Sequence, residues 1–188
     1  AVLEVDGKDL GRPILETVEP MRTECRQRNP LDPLEIPAQG SVSWEAEDGM
    51  ILHGMTADDD PEASGGRYVV QPKAREVFQV PGSVTWSLRV AQAGRYHLWA
   101  RVLAPDSGAR SFHVLLEGDT DELPVRGPWL LREGAGWNWQ RLTLGTQPAP
   151  ITLDLPAGLV WLQIRPRETR TRIDRLFLTS DATEQPAK

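Results

Sequence analysis

Cysteine is nearly missing from this chain: Cys25 stands alone, so no disulfide can form within it and packing must hold the fold. Long apolar runs are missing too. No stretch approaches the ~20 residues of a membrane helix, and the opening Ala-Val-Leu-Glu-Val-Asp lacks the charged-then-apolar pattern of a signal peptide. Positive charge is in the minority, with 21 Lys and Arg against 27 Asp and Glu for a formal charge of -6. That balance argues against general nucleic-acid binding, which needs a basic face. The three histidines, His53, His97 and His113, show no metal-ligand spacing, and no Ser-His-Asp, Cys-His or nucleotide-loop signature occurs. Long helical patterns are equally scarce.

What is present points to β-structure. At 188 residues and 39% hydrophobic content the chain has room for one globular domain plus an appendage. Sixteen Gly and sixteen Pro punctuate many short apolar runs, which favours an all-β, two-sheet antiparallel sandwich over an α/β fold. Residues 1–40 carry Pro13, Pro20, Pro30, Pro33 and Pro37, a density that breaks helices and central strands, and read as a proline-rich N-terminal extension or linker. Residues 41–181 read as the sandwich and 182–188 as a C-terminal tail. Strand signals recur at 42–47, 67–71, 84–90, 95–103, 111–117, 138–144, 150–155, 159–165 and 172–178. Alternation assigns their faces. Val84, Trp86, Leu88 and Val90 point one way, and so do Tyr96, Leu98, Ala100 and Val102, leaving His97, Trp99 and Arg101 on the opposite side.

Two acidic segments stand out in this background. In Trp-Glu-Ala-Glu at 44–47, Glu45 and Glu47 share a strand face roughly 7 Å apart, and like charges so placed call for a cation. Asp174 lies in phase with Leu176 and Leu178, and a carboxylate aligned with core leucines must be paired or bound to metal. Calcium suits such an oxygen set better than zinc. The Asp58-Asp59-Asp60 run before Pro61 offers the oxygens of a second calcium loop, but it lacks the Gly and Glu spacing of an EF-hand and reads rather as a solvated turn.

From about 43 to 181 the chain resembles the β-sandwich carbohydrate-binding modules of families 6 and 35, in the galactose-binding-domain-like group of jelly rolls. The resemblance lies in Glu-Ala-Glu at 45–47, Ala-Ser-Gly-Gly-Arg-Tyr-Val at 63–69 and Ala-Gly-Arg-Tyr-His-Leu-Trp-Ala-Arg-Val at 93–102. It continues through Trp-Asn-Trp at 137–139, Leu-Pro-Ala-Gly-Leu at 155–159 and the run ending Arg-Ile-Asp-Arg-Leu-Phe-Leu at 172–178. It implies a structural calcium held by Glu45, Glu47, a backbone carbonyl at or near Arg67, and Asp174. It also implies a ligand cleft walled by a tryptophan at the Trp137 position.

Sugars bind to flat aromatic faces with a few orienting polar groups. Trp137, its neighbour Asn138, and Trp129 in the turn-rich stretch 124–136 are the expected ligand-binding residues on the aromatic side. Two departures limit what the resemblance transfers. Arg172 stands where many family 6 modules have a sugar-binding asparagine, and Tyr68 comes early for the second aromatic wall, with Gln71 near that place. Neutral xylan or cellulose specificity is therefore not inherited. Arg165, Arg167, Arg170, Arg172 and Arg175 crowd together instead, and guanidinium forks match carboxylate or sulfate. Arg170 and Arg172 are accordingly expected to bind an anionic ligand.

The expected function is a noncatalytic, calcium-stabilised module that recognises a polysaccharide or oligosaccharide, an anionic one suiting the arginines. It is expected to be a monomer that neither binds nucleic acid nor inserts in a membrane. Its setting is secreted, periplasmic or bacterial cell-surface, alongside a catalytic domain of a longer protein. The alternative is a calcium-stabilised interaction or adhesion domain using Trp99, Trp129 and Trp137 as anchors. A glycosidase needs two carboxylates about 5 Å or about 6.5–9.5 Å apart across a cleft, and the best-placed carboxylates here are assigned to the cation.

Overall fold

A computed structural model describes residues 32–72, 82–118, 125–145 and 149–187, together with the backbone at 4–5 and 8–9. Two compact units divide the chain, Ala1–Asp32 and Pro33–Lys188. In the first, Glu4–Val5 (β1) pairs antiparallel with Lys8–Asp9 (β2). Cys25 and most of the proline-rich stretch lie outside the described residues.

The second unit is a sandwich of two sheets. The elements are Leu34–Ile36 (β3), Ser41–Glu45 (β4), Met50–Leu52 (β5), Thr56–Asp59 (β6), Arg67–Val70 (β7), Ser83–Val90 (β8) and Gly94–Leu103 (β9). They continue with Ser111–Gly118 (β10), Arg126–Leu130 (β11), Asn138–Arg141 (β12), Leu153–Leu155 (β13), Gly158–Pro166 (β14) and Arg172–Thr179 (β15). Sheet one runs β11-β10-β14-β8-β3, with β5 also on β8. Sheet two runs β12-β9-β15-β7-β6, with β13 on β9 and β4 on β15. Pairing is antiparallel except between β3 and β8. Among the described residues the only helical turns are the short 3-10 turns Ala46–Asp48 and Ser64–Gly66, and no helix is long and apolar enough to cross a membrane.

The core follows from alternation. Val84, Trp86, Leu88 and Val90 of β8, Tyr96, Leu98, Ala100 and Val102 of β9, and Val160, Leu162 and Ile164 of β14 are all buried between the sheets. Each such aliphatic side chain stabilises the fold by about 1.5–3 kcal/mol on burial, which exceeds what any surface contact supplies.

Several boundaries differ from the sequence reading. Leu34–Ile36, placed in the extension, is a strand of sheet one, with Ile36 buried against the core, so the sandwich begins before residue 41. The tail after 181 folds back on sheet two rather than leaving it. Glu47 is not in a strand: β4 ends at Glu45 and the chain turns into Ala46–Asp48. Trp129 is in β11, opposite Phe112, and is 0% exposed. It therefore packs the core, where a stacking residue would have to be reachable. Asp58 and Asp59 lie in β6, and Asp60 accepts from the backbone N–H of Glu62 at 2.9 Å in a tight local turn.

Candidate functional site

One corner of sheet two holds the buried carboxylate of Asp174, and a single extra residue places it there. Strand β15 pairs Ile173 with Val102 but Arg175 with Arg101, so Asp174 is a β-bulge inserted between two residues that are in register. The bulge holds Asp174 fully buried. Its Oδ1 accepts from the Ser64 backbone N–H at 2.8 Å, and its Oδ2 forms an ion pair with Arg101 Nη1. Burial pushes the Asp174 carboxyl above its ordinary value, while Arg101 pulls in the other direction. The same guanidinium donates to the Glu62 carbonyl at 3.2 and 3.1 Å, which ties the 60–64 segment to the sheet.

The Ser64–Gly66 turn is the other half of the corner. Gly65 has φ of 64°, in the left-handed region where glycine is tolerated without strain, and it faces two acids. A Cβ there would sit 3.7 Å from Glu47 Oε1 and 4.0 Å from Glu45 Cδ. Glu45 Oε1 accepts from Ser64 Oγ at 3.0 Å and lies 3.3 Å from Arg175 Nε. Glu45 Oε2 and Glu47 Oε2 are buried with no hydrogen-bond partner. Burial raises the Glu47 carboxyl, and the neighbouring Glu45 and Asp48 charges add to the rise. Arg67 follows directly, its N–H bonded to the Ser64 carbonyl and its side chain 3.6 Å from Asp59.

The carboxylates expected from the sequence thus surround one turn, but guanidinium groups stand among them. Among the described residues no three acidic, histidine or cysteine side chains converge into a cage for a metal. The donor chemistry fits a hard cation best at Glu45 and Glu47, whose free buried oxygens are acceptors lacking a donor. Asp174 is already balanced by Arg101.

Beside this cradle lies an aromatic pair. Trp137, half-buried just before β12, meets Tyr68 of β7 edge to face, with centroids 5.5 Å apart and planes at 60°. Ala63 and Val70 complete the small apolar cluster beneath them. Arg101 lies 5.6 Å over the Trp137 ring and Arg172 lies 4.8 Å over the Tyr68 ring, both within cation–π range. Arg172 is also 3.6 Å from Asp60. Trp137 Nε1 is buried without an acceptor.

The remaining sequence-based site residues have other employment. Asn138 donates to the Gly136 carbonyl at 3.1 Å and the Val102 carbonyl at 3.4 Å, and its Oδ1 accepts from Gln140, so its amide shapes the 132–138 loop. Arg170, at φ 70°, forms a forked pair with Asp106 at 2.8 and 3.2 Å and braces two loops. The arginines do not make one basic patch: Arg165 belongs to sheet one and bonds Gln163, while Arg175 belongs to sheet two, donates to Ser43 and forms an ion pair with Glu45. Tyr68 and Arg101 were the residues missed. Arg101 had a signal, since alternation put it on the outer side of β9 and buried Asp174 demanded a cation.

The geometry and topology define the class. The fold is that of the family 6 and family 35 carbohydrate-binding modules, a jelly-roll β-sandwich. Among solved structures the chain is similar to a β-(1,4)-mannanase of Podospora anserina that joins GH26 and CBM35, with a TM-score of 0.60 and 21% identity over 79% of this chain and 29% of that one. A family 35 carbohydrate-binding module from Clostridium thermocellum gives a TM-score of 0.54 and 17% identity, covering 75% of this chain and 98% of the module. The C-terminal family 6 module of a marine laminarinase from Zobellia galactanivorans gives 0.54 and 17%, covering 74% and 98%. Among curated proteins, an uncharacterised protein P23 of Formosa agariphila is 29% identical over 110 residues, 55% of this chain and 26% of that protein. The chain thus spans about a quarter of that relative's length. No family model matches the sequence.

Proposed function

We propose that the sandwich is a noncatalytic polysaccharide-binding module whose ligand rests against Trp137 and Tyr68. The observation that carries this reading is the aromatic pair flanked by Arg101 and Arg172. An aromatic face covers the apolar side of a pyranose, and flanking guanidinium groups hold the oxygens of a sugar carboxylate or sulfate. An acidic glycan therefore fits the corner better than a neutral one. Solved neighbours of this fold include a module joined to a mannanase, which supports a targeting role beside a catalytic domain, and a setting outside the cytoplasm is part of the same proposal. Tethering of that kind raises local substrate concentration with no chemistry of its own.

The reading includes a structural calcium at the Ser64–Gly66 turn. Glu45 and Glu47 would supply carboxylate oxygens and the chain at Arg67 a carbonyl, while Asp174, whose two oxygens already accept from Ser64 and Arg101, would stand beside the ion rather than hold it. The support is the two buried, unpartnered carboxylate oxygens. Calcium there would offset the burial, and the lesser repulsion from Glu45 and Asp48, that raise Glu47.

Affinity electrophoresis against laminarin, xylan, β-mannan and polygalacturonate, with calcium and with chelator, tests the proposal. Retardation by polygalacturonate that vanishes in Trp137→Ala, while that variant melts within a few degrees of the parent, is the expected result. Absence of retardation by every glycan, with thermal stability still falling on chelation, would favour a calcium-stabilised protein-interaction domain.

A further inference from the structure

The outer face of sheet two carries a second row of aromatic and donor side chains, and the C-terminal segment lies on it. Registers place Trp139, Arg101 and Arg175 side by side across β12, β9 and β15, and Arg141, Trp99 and Phe177 in the adjacent row. Trp139 and Phe177 meet edge to face at 6.4 Å. A cleft of about 280 Å³ opens between this face and the 62–64 segment, with Arg101, Trp139 and Arg175 on its wall and Ala187 at its rim.

Residues 181–187 behave there as a ligand would. Trp139 Nε1 donates to the Ala187 carbonyl at 2.9 Å, and Arg141 Nη1 donates to the Ala182 carbonyl at 3.5 Å. Glu184 accepts from Ser41 Oγ at 2.7 Å and from Thr179 Oγ1 at 2.5 Å, which anchors the middle of the segment. His97 and Thr179 sit on this outer side, yet they are 3% and 0% exposed. The cover does not satisfy every donor beneath it: Trp99 Nε1 and Arg141 Nε are buried without acceptors. Buried donors without partners are costly, so a chain richer in acceptors would bind this face better than the tail does.

We propose that the outer face of sheet two is a second glycan-binding surface, held shut by residues 181–187 as an intramolecular stand-in for the ligand. A polysaccharide supplies hydroxyl and carboxylate oxygens along its whole length, which suits a face of indole and guanidinium donors. The ligand class rests on the carbohydrate reading above; the strap itself rests only on the contacts of the tail. Because the tail is tethered, it is always present at high local concentration, and a glycan must displace it to bind.

The test uses the chain ended after Ser180, alone and with Trp137→Ala to silence the first site, in the same electrophoresis panel. In the Trp137→Ala background the full chain should run unretarded, the shortened chain should regain retardation, and adding Trp139→Ala should abolish it. A fluorescent peptide of residues 181–188 should bind the shortened chain saturably and be released by the retarding glycan. If the full chain binds glycan through Trp137 but shortening adds nothing in Trp137→Ala, the second surface is refuted while the first stands. If no form binds any glycan, the carbohydrate reading fails, and with it the ligand class proposed here. Should the shortened chain not fold, Glu184→Ala in the full chain replaces it, with greater acrylamide quenching of tryptophan expected for a loosened strap and unchanged quenching overturning it.

Discussion

The sandwich interior is buried throughout and the Ser64 corner only in part, and the two are built on opposite terms. Between the sheets, Leu98, Ala100, Leu162 and Ile164 lose water and gain apolar neighbours, with no charge to compensate. At the corner, Asp174 is withdrawn from water and Glu45 and Glu47 are half-buried beside Arg101 and Arg175, and two carboxylate oxygens stay without partners. The interior is stable by itself. The corner keeps two buried acceptors unsatisfied, the kind of arrangement found at functional sites.

The largest expected effect separates the two regions through two tryptophans. Trp129→Ala should cost about 3–5 kcal/mol by leaving a core cavity and lower the melting temperature by roughly 10 °C or more. A Trp129→Ala protein that melts normally but has lost glycan would reverse the assignment and make Trp129 a contact residue. Next in size is Arg101→Ala, which strands the Asp174 carboxylate in the interior. The cost should be about 2–3 kcal/mol, since Arg101 itself is 23% exposed and keeps some screening. Adding Asp174→Asn should restore most of it, and strictly additive losses in the double-mutant cycle would show that the two groups are not coupled.

The smallest effect is a contrast in pH response. His97 is kept below its ordinary value of 6.5 by burial, then by Arg141 and Arg95. The unfolded chain therefore takes up a proton that the fold refuses, and stability should fall as pH drops below about 6.5. Asp174 and Glu47 are raised, so the fold holds protons that the unfolded chain has released, and their contribution should increase as pH falls through the range just above ordinary carboxylate values. Melting curves from about pH 7.5 to 4.5 should lose the first trend in His97→Gln and show a weakened second trend in Glu47→Gln, where Asp174 alone still contributes. Identical profiles for parent and both variants would remove the contrast.

Alternation makes the interior legible in the sequence itself. The inward rows of β8, β9 and β14 are each visible as period-two apolar patterns, and Trp44 and Trp86 are buried in the core as those patterns imply. Shorter elements are hidden because their pairing is long-range. Thr56–Asp59 is acidic and lies at the end of its sheet, and Arg126–Leu130 contains Gly127 and Pro128, which depress strand propensity yet are tolerated on an outer strand. Trp129 was misplaced for that reason. At the corner, the need of Asp174 for a partner is legible from its phase with leucines. The identity of that partner is not, because Arg101 lies 73 residues away and only strand pairing brings it near. Tyr68 escaped for the same cause: its neighbour Trp137 leads into a strand on the far side of β9 and β15.

The bulge at Asp174 has a further consequence for how such a site arises. Arg172 and Arg175 face outward and Ile173, Leu176 and Leu178 face inward, so the strand keeps its phase on either side of the extra residue. Removing Asp174 would close the strand into an unbroken alternation with every other side chain on its present face. That single residue is what brings a carboxylate of β15 to the Ser64 turn, where Glu45 and Glu47 already stand.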